Sequence, residues 1–336
     1  LVRSVTRVDA ALLEGTPVRF VGSATIGTDH VDLDYLHEAG IAFANAPGCN
    51  AEAAAEYVLS AVLALSARLG QPLQECTAGI VGQGNVGSRV HRKLEALGVT
   101  CLVNDPPLAD AGAAGTFLPL QALGDCDILT LHVPLTDEGP YRTHHLIDGR
   151  YLDALRPSAL LINTARGPVI DNRALLERLV QGEGPATVLD VWEQEPTVPA
   201  ALLRQVALGT PHIAGYSADG KLRGTVMVYE ALCRFLGETP DWDPWVELAP
   251  PPNPVRYLEA DRSVEETVRS AVLHAYDIRQ DDRRLRGALK DSDVDRAAAF
   301  DALRRLYPLR REFSAYRVVT ADPAAAEVLE ALGFTV

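Results

Sequence analysis

Ala78-Gly79-Ile80-Val81-Gly82-Gln83-Gly84-Asn85-Val86-Gly87 is the stretch on which the fold of this chain turns. A short apolar run meets G-x-G-x-x-G, a helical pattern follows over residues 86–97 and stops at Gly98, and a second apolar run over 100–103 ends at Asn104-Asp105. Alone, the glycine pattern fits any tight strand-to-helix turn. With a strand before it, a helix after it and an acid 23 residues beyond Gly82, it reads as a dinucleotide-binding fingerprint. Gly82 permits the turn, Gly84 lets the backbone approach a pyrophosphate, Gly87 lets helix and strand pack closely, and the helix N-terminus supplies partial positive charge. Asp105 is placed to accept hydrogen bonds from the adenine ribose. The following Pro106-Pro107 offers no arginine for a 2′-phosphate, so NAD is expected rather than NADP.

Outward from this unit the same alternation continues. Strands are predicted at 18–22, 41–44, 128–133, 160–163, 187–191 and around Leu208, with helices over 31–39, 51–69 and 171–180. Residues 52–216 form one doubly wound parallel-sheet NAD domain, an α/β arrangement. Residues 1–51 and 217–240, the latter an amphipathic helix over 218–236, form a lid or substrate domain. Helix 51–69 is apolar all round, so it is buried or bridges domains. Five prolines between Pro244 and Pro254 mark a linker. Residues 250–336 are expected to form a small α+β module of their own, with helices capped by Ser263 (to Ile278) and Ser292 (to Tyr307), a strand over 316–320 and a last helix over 323–332.

Composition limits the function. The 336 residues carry 31 Lys+Arg against 45 Asp+Glu, a net charge of −14, which disfavours nucleic-acid partners. An anionic ligand therefore needs a local basic pocket. The longest apolar run, residues 57–67, is too short to span a membrane. Five cysteines without a C-x-x-C pair signal neither a disulfide framework nor a structural zinc site, so no metal is expected and a reducing cytoplasmic compartment is. Met227 is the only methionine, so residue 1 is read as a point inside a longer chain.

Three polar residues sit just after predicted strands: Arg166 in Asn163-Thr164-Ala165-Arg166-Gly167, Glu195 in Asp190-Val191-Trp192-Glu193-Gln194-Glu195-Pro196, and His212 in Thr210-Pro211-His212-Ile213-Ala214-Gly215. Singly they read as a surface cation, a helix-start carboxylate and a loop histidine. In an open α/β sheet, however, the ligand crevice lies at the carboxyl ends of the strands, where all three can converge. Hydride transfer from an alcohol uses such a set: a histidine to take the proton, a glutamate to orient it, and an arginine to clamp a carboxylate. Beyond His212, Lys221 is one of only three lysines, and with Arg3 and Arg223 it is a candidate pocket for a dianionic phosphate.

These motifs, in this order and with Asn45-Ala46-Pro47-Gly48-Cys49-Asn50 before them, resemble the D-2-hydroxyacid dehydrogenase superfamily over about residues 1–237. The likeness is strongest to the branch that acts on 4-phospho-D-erythronate in pyridoxal 5′-phosphate biosynthesis. It is carried by Gly27-Thr28-Asp29-His30-Val31-Asp32, by the run from His212 through Tyr216-Ser217 to Gly220-Lys221-Leu222-Arg223-Gly224-Thr225, and by Tyr276-Asp277-Ile278-Arg279 and Tyr307-Pro308-Leu309-Arg310-Arg311-Glu312. The resemblance implies catalytic Arg166, Glu195 and His212, with Ser4, Thr25 and Tyr216 on the substrate. It implies an NAD site of Gly82, Gln83, Gly84, Asn85, Val86, Gly87, Asp105, Val133, Asn163, Thr164, Ala165, Asp190 and Gly215, with Val133 standing where the family has threonine. It further implies a flavodoxin-like lid whose first βα unit precedes Leu1, and a homodimer through the C-terminal domain. Another 2-hydroxyacid dehydrogenase, such as one for 3-phosphoglycerate, and an NAD-sensing corepressor-type binding protein remain the alternatives.

Overall fold

The computed structural model describes residues 1–2, 6–258, 262–290 and 294–336. Arg3 and Ser4, expected at the substrate, and Ser292, expected to cap a helix, lie outside these. The chain opens with helix α1 (Ala10–Leu13), strand β1 (Phe20–Gly22), helix α2 (Leu33–Glu38) and strand β2 (Ala42–Ala44). Asp9 and Asp32 cap the two helices, and β1 and β2 pair in parallel over a small core of Val8, Leu13, Val21, Val31 and Leu36.

Helix α3 (Ala51–Leu65) follows, with residues 53–63 buried without interruption. Strands β3 (Thr77–Val81) and β4 (Thr100–Asn104) flank helix α4 (Gly87–Ala96). After helix α5 (Pro106–Asp110) come β5 (Ile128–Leu131), α6 (Gly149–Ala154), β6 (Leu160–Asn163), α7 (Asn172–Gln181), β7 (Ala186–Leu189), α8 (Ala200–Gln205) and β8 (Leu208–Gly209). The six strands form one parallel sheet in the order β4-β3-β5-β6-β7-β8, and a bridge from Phe117 to Val103 extends it beyond β4. Every residue of β5 and β6 is buried, the pattern of strands covered by helices on both faces. Strand order reverses between β3 and β5, the switch point at which open α/β sheets bind ligands.

Helix α9 (Ala218–Leu236), capped by Ser217 and stopped by Gly237, returns to pack on β1 and β2. Strand β9 (Val255–Tyr257), helices α10 (Val264–Ala275), α11 (Ile278–Ala288) and α12 (Arg296–Arg305), strand β10 (Arg317–Val319) and helix α13 (Pro323–Leu332) complete the chain. Two expectations are corrected here. The helix expected from Ser263 to Ile278 is two, because Tyr276 is extended and Asp277 caps a new helix; Ser60 of α3 donates to the Tyr276 carbonyl (2.8 Å) and accepts from the Ile278 N–H (3.2 Å), so the break is satisfied. The next helix starts at Arg296 with Asp295 as its cap. The C-terminal segment packs against α3: Val268, Ala271, Val272, Ile278, Phe313, Leu329 and Leu332 share one apolar core with Val58, Leu59 and Val62.

Polar groups cross this seam. The Glu56 carboxylate accepts the Phe313 N–H at 2.7 Å, and its other oxygen lies 3.7 Å from Arg310 with no hydrogen bond of its own. Burial pushes this carboxyl up to about 8, against the pull of Lys93 and Arg310. The folded chain therefore holds a proton that the unfolded chain releases near 4.5, and stability falls as pH rises from there to about 8. Glu56→Gln removes this proton uptake. Denaturant unfolding across the same interval is expected to show wild type losing stability relative to the variant as pH rises, and parallel curves would contradict the assignment.

Candidate active site

The carboxyl ends of β3 to β8 all open on one edge of the sheet, and the functional side chains follow them. After β3, Gly82 adopts φ +92°, and a Cβ there would lie 2.7 Å from the His132 carbonyl oxygen. A Cβ on Gly87 would collide with the Gly82 carbonyl. The fold itself thus requires both glycines. Gly84 is different: a Cβ there meets nothing within 4 Å, so its smallness leaves open space at the start of α4, where a pyrophosphate's close approach needs it. Asp105 accepts the Gln83 N–H at 2.7 Å on one oxygen and caps α5 through the Leu108 N–H at 3.1 Å on the other. Each oxygen retains a lone pair for a ribose hydroxyl. Val133 lies against the Gly82 turn, and the Asn85 side chain meets Gly48, tying the fingerprint to the loop that enters α3; Val86 precedes the first residue of α4 and packs on the main core. The site fits an NAD-type dinucleotide.

After β6, Asn163 is fully buried and shapes the next loop, its side chain accepting from the Ala165 N–H (3.0 Å) and donating to the Arg166 carbonyl (3.0 Å). Thr164 bonds His132, whose other nitrogen meets Thr130; burial holds that imidazole down at about 3, hence neutral. Arg166 is aimed by this loop out of the sheet and donates to Asp29 at 3.1 Å, while Gly167 packs directly on the backbone of Trp192 and Glu193. The Arg166 loop therefore abuts the loop that carries Glu195.

After β7 and β8 the geometry is tightest. His212 Nδ1 and Glu195 Oε2 are 2.7 Å apart, and the second Glu195 oxygen accepts the Trp192 N–H at 2.8 Å. Asp190, 1% exposed, takes the Thr210 hydroxyl (2.6 Å) and the N–H groups of Ile213 (2.8 Å) and Ala214 (2.9 Å), and its carbonyl accepts the His212 N–H (2.7 Å). Burial raises its carboxyl, and His212 heads the groups that oppose the shift. Asp190, expected along the NAD site, also braces the turn that presents His212; Oδ1 takes two donors and Oδ2 one. Gly215 lies against the Asn50 side chain.

The expected substrate residues divide. Thr25 bonds Ser23 (2.7 Å), which meets His30 Nε2 (3.0 Å), a polar chain in the loop after β1 that also holds Asp29. Tyr216 and Lys221 turn toward the C-terminal segment: the Lys221 ammonium lies 4.7 Å from the Tyr216 ring centroid, and Tyr307 packs edge-on to the same ring. Arg223 is corrected as a phosphate ligand, because its guanidinium is committed to the buried Glu312 (2.8 and 3.3 Å) and to the Cys49 carbonyl. Asp29, His30 and the run 310–312 stood in quoted motifs without a role; only tertiary contacts reveal one. Among the described residues, no group of three or more His, Cys, Asp or Glu is placed to hold a metal, and no helix is long and apolar enough to cross a membrane.

Residues 51–214 match the D-isomer specific 2-hydroxyacid dehydrogenase, NAD binding domain, and residues 248–333 match a domain of unknown function (DUF3410). Erythronate-4-phosphate dehydrogenase of Pectobacterium carotovorum subsp. carotovorum is 50% identical over 339 residues, which cover 100% of this chain and 87% of the relative. That of Escherichia coli O81 is 48% identical over 335 residues, covering 99% and 87%. Among solved structures, D-lactate dehydrogenase from Aquifex aeolicus, complexed with NAD and lactic acid, superposes with a TM-score of 0.55 at 27% identity over 69% of this chain and 81% of its own. The TT0316 protein from Thermus thermophilus gives 0.58 at 30% identity, over 71% and 83%. The chain belongs to the erythronate-4-phosphate dehydrogenase family of D-isomer specific 2-hydroxyacid dehydrogenases.

Proposed function

We propose that this chain oxidises the C2 hydroxyl of 4-phospho-D-erythronate to the 2-oxo acid, (R)-3-hydroxy-2-oxo-4-phosphobutanoate, with NAD as acceptor, in pyridoxal 5′-phosphate biosynthesis. The 2.7 Å Glu195–His212 pair carries the reading. Glu195 occupies Nδ1, so Nε2 is the nitrogen left to take the alcohol proton. The carboxylate fixes the ring and stabilises the imidazolium that forms, while Trp192 fixes the carboxylate. Arg166 exchanges Asp29 for the substrate carboxylate and holds the C2 oxygen near the histidine. NAD, when bound, accepts the hydride from C2. Thr25 and Tyr216 are assigned to the substrate, as is Lys221, an exposed cation beside the Tyr216 ring, to its phosphate.

Two further readings accompany this one. A homodimer through the C-terminal segment is supported by the outward apolar row of Val255 and Tyr257 on β9 and Val319 on β10, with Leu306 and Leu309 nearby in sequence. A reducing cytoplasmic location is supported by five free cysteines.

Loss of a general base is expected to lower kcat by about 10²–10⁴-fold, so His212→Ala should fall in that range while still binding NADH. Turnover near wild type would defeat the base assignment. Glu195→Gln keeps the shape of the pair but not its charge, and should lose kcat in the same direction with KM little changed. NADH formation from 4-phosphoerythronate compared with 3-phosphoglycerate tests the substrate: preference for the latter, or no turnover on either together with NADH-dependent binding of a partner protein, would replace the proposal.

A further inference from the structure

We infer that the C-terminal segment is part of the catalytic apparatus: residues 310–312 clamp the loop that presents His212, and Arg310 is a positioning residue for that histidine. The inference rests on His212 being the base.

His212 adopts φ +54°, a left-handed conformation that a side chain with a Cβ holds only when its surroundings enforce it. One side of the enforcement is Asp190, which grips Thr210, Ile213 and Ala214 from β7. The other comes from far along the chain. Arg310 donates one guanidinium nitrogen to the Ala214 carbonyl (2.9 Å), two residues past His212, and another to the Ala53 carbonyl of α3 (2.6 Å), while its own carbonyl accepts the Ala218 N–H (2.8 Å). The guanidinium is buried and lies 3.7 Å from the Tyr276 ring centroid. The next residues continue the grip. Arg311 pairs with Asp219 (2.9 Å), Glu312 accepts the Ser217 hydroxyl (2.9 Å), and the Glu312 N–H reaches Asp219 (3.0 Å). The loop is thus bonded from outside at Ala214, Ser217, Ala218 and Asp219, and Arg310 anchors it to α3.

Arginine suits this place because its planar fork offers a separate nitrogen to each carbonyl in fixed geometry, whereas an ammonium must serve both from one atom. Without it, the buried Ala214 carbonyl loses its donor, and the loop is free to relax toward an unstrained φ at His212. A displacement of about 1 Å at a catalytic group costs on the order of 10²-fold.

Arg310→Lys keeps the charge beside Glu56 and tests the fork. The folded variant is expected to lose about 10–100-fold in kcat on 4-phosphoerythronate. Its NADH affinity should be preserved, and its primary isotope effect with C2-deuterated substrate should be larger, because hydride transfer becomes more rate-limiting. Arg256→Met serves as the control, since it removes a bond to Ser270 within the same segment but away from the loop, and should leave kcat and the isotope effect unchanged. Wild-type kcat in folded Arg310→Lys, or an equal loss in Arg256→Met, overturns the inference. Should Arg310→Lys fail to fold, Ser217→Ala, which cuts the Glu312 tie, takes its place: a loss of kcat with preserved NADH affinity supports the clamp, and unchanged kcat overturns it. Near-normal turnover in His212→Ala would instead defeat the base assignment itself, so the two failures are distinguishable.

Discussion

A helix that is apolar on every side cannot stand at a surface, and Ala51–Leu65 is such a helix. Burying residues 53–63 requires cover from both directions. The sheet and α4 supply one side, and α10 and α11 the other. The C-terminal segment is therefore not an appendage to the nucleotide domain, since removing it would expose Val58, Leu59 and Val62. The polar residues that interrupt the helix are those that make its cover specific. Tyr57 bonds Thr210, and hence Asp190 (2.7 and 2.6 Å); Ser60 satisfies the α10–α11 break; Glu56 meets Phe313 and Arg310. Each ties the helix to an element separated from it by 150 residues or more.

The same helix links packing to chemistry. Thr210, Asp190 and the turn at His212 form one hydrogen-bonded unit at the ends of β7 and β8, and Tyr57 is its contact with the core. Burial raises the Tyr57 hydroxyl well above its ordinary range, so it stays protonated and remains a donor. The turn at His212 is thus tied to the core through hydroxyl and amide donors that converge on Asp190.

Much of this was legible in the sequence where the determinants are local. The glycine turn, the acid after β4 and the helix stop at the left-handed Gly98 all act over a few residues, and the predicted bounds of β6, α9 and α13 coincide with the observed ones. What was not legible is non-local. The break at Tyr276 depends on a serine 216 positions away. Strand β9 is three residues long and becomes a strand only by pairing with β10. The fate of Arg223 was set by Glu312, 89 residues on, and that of Asp190 by three donors beyond the next strand. Spacing could show that a charge stands near the site, but not what it is already bonded to.

That last point decides which cations of this acidic chain can serve an anion. Arg223 and Arg311 both lie near the His212 loop, but their carboxylate partners are buried: Glu312 is 3% exposed at its side chain and Asp219 8%. An incoming phosphate or carboxylate could displace such a partner only by leaving a buried charge unpaired, a cost that exceeds the new contact. Arg166 is the opposite case. Its partner Asp29 is 75% exposed and returns to water at little cost, since an ion pair of that kind contributes almost nothing to stability. The accessibility of the acid, rather than the proximity of the base, therefore distinguishes Arg166 from Arg223 and Arg311: its pairing with Asp29 is the one of the three that can be given up at little cost.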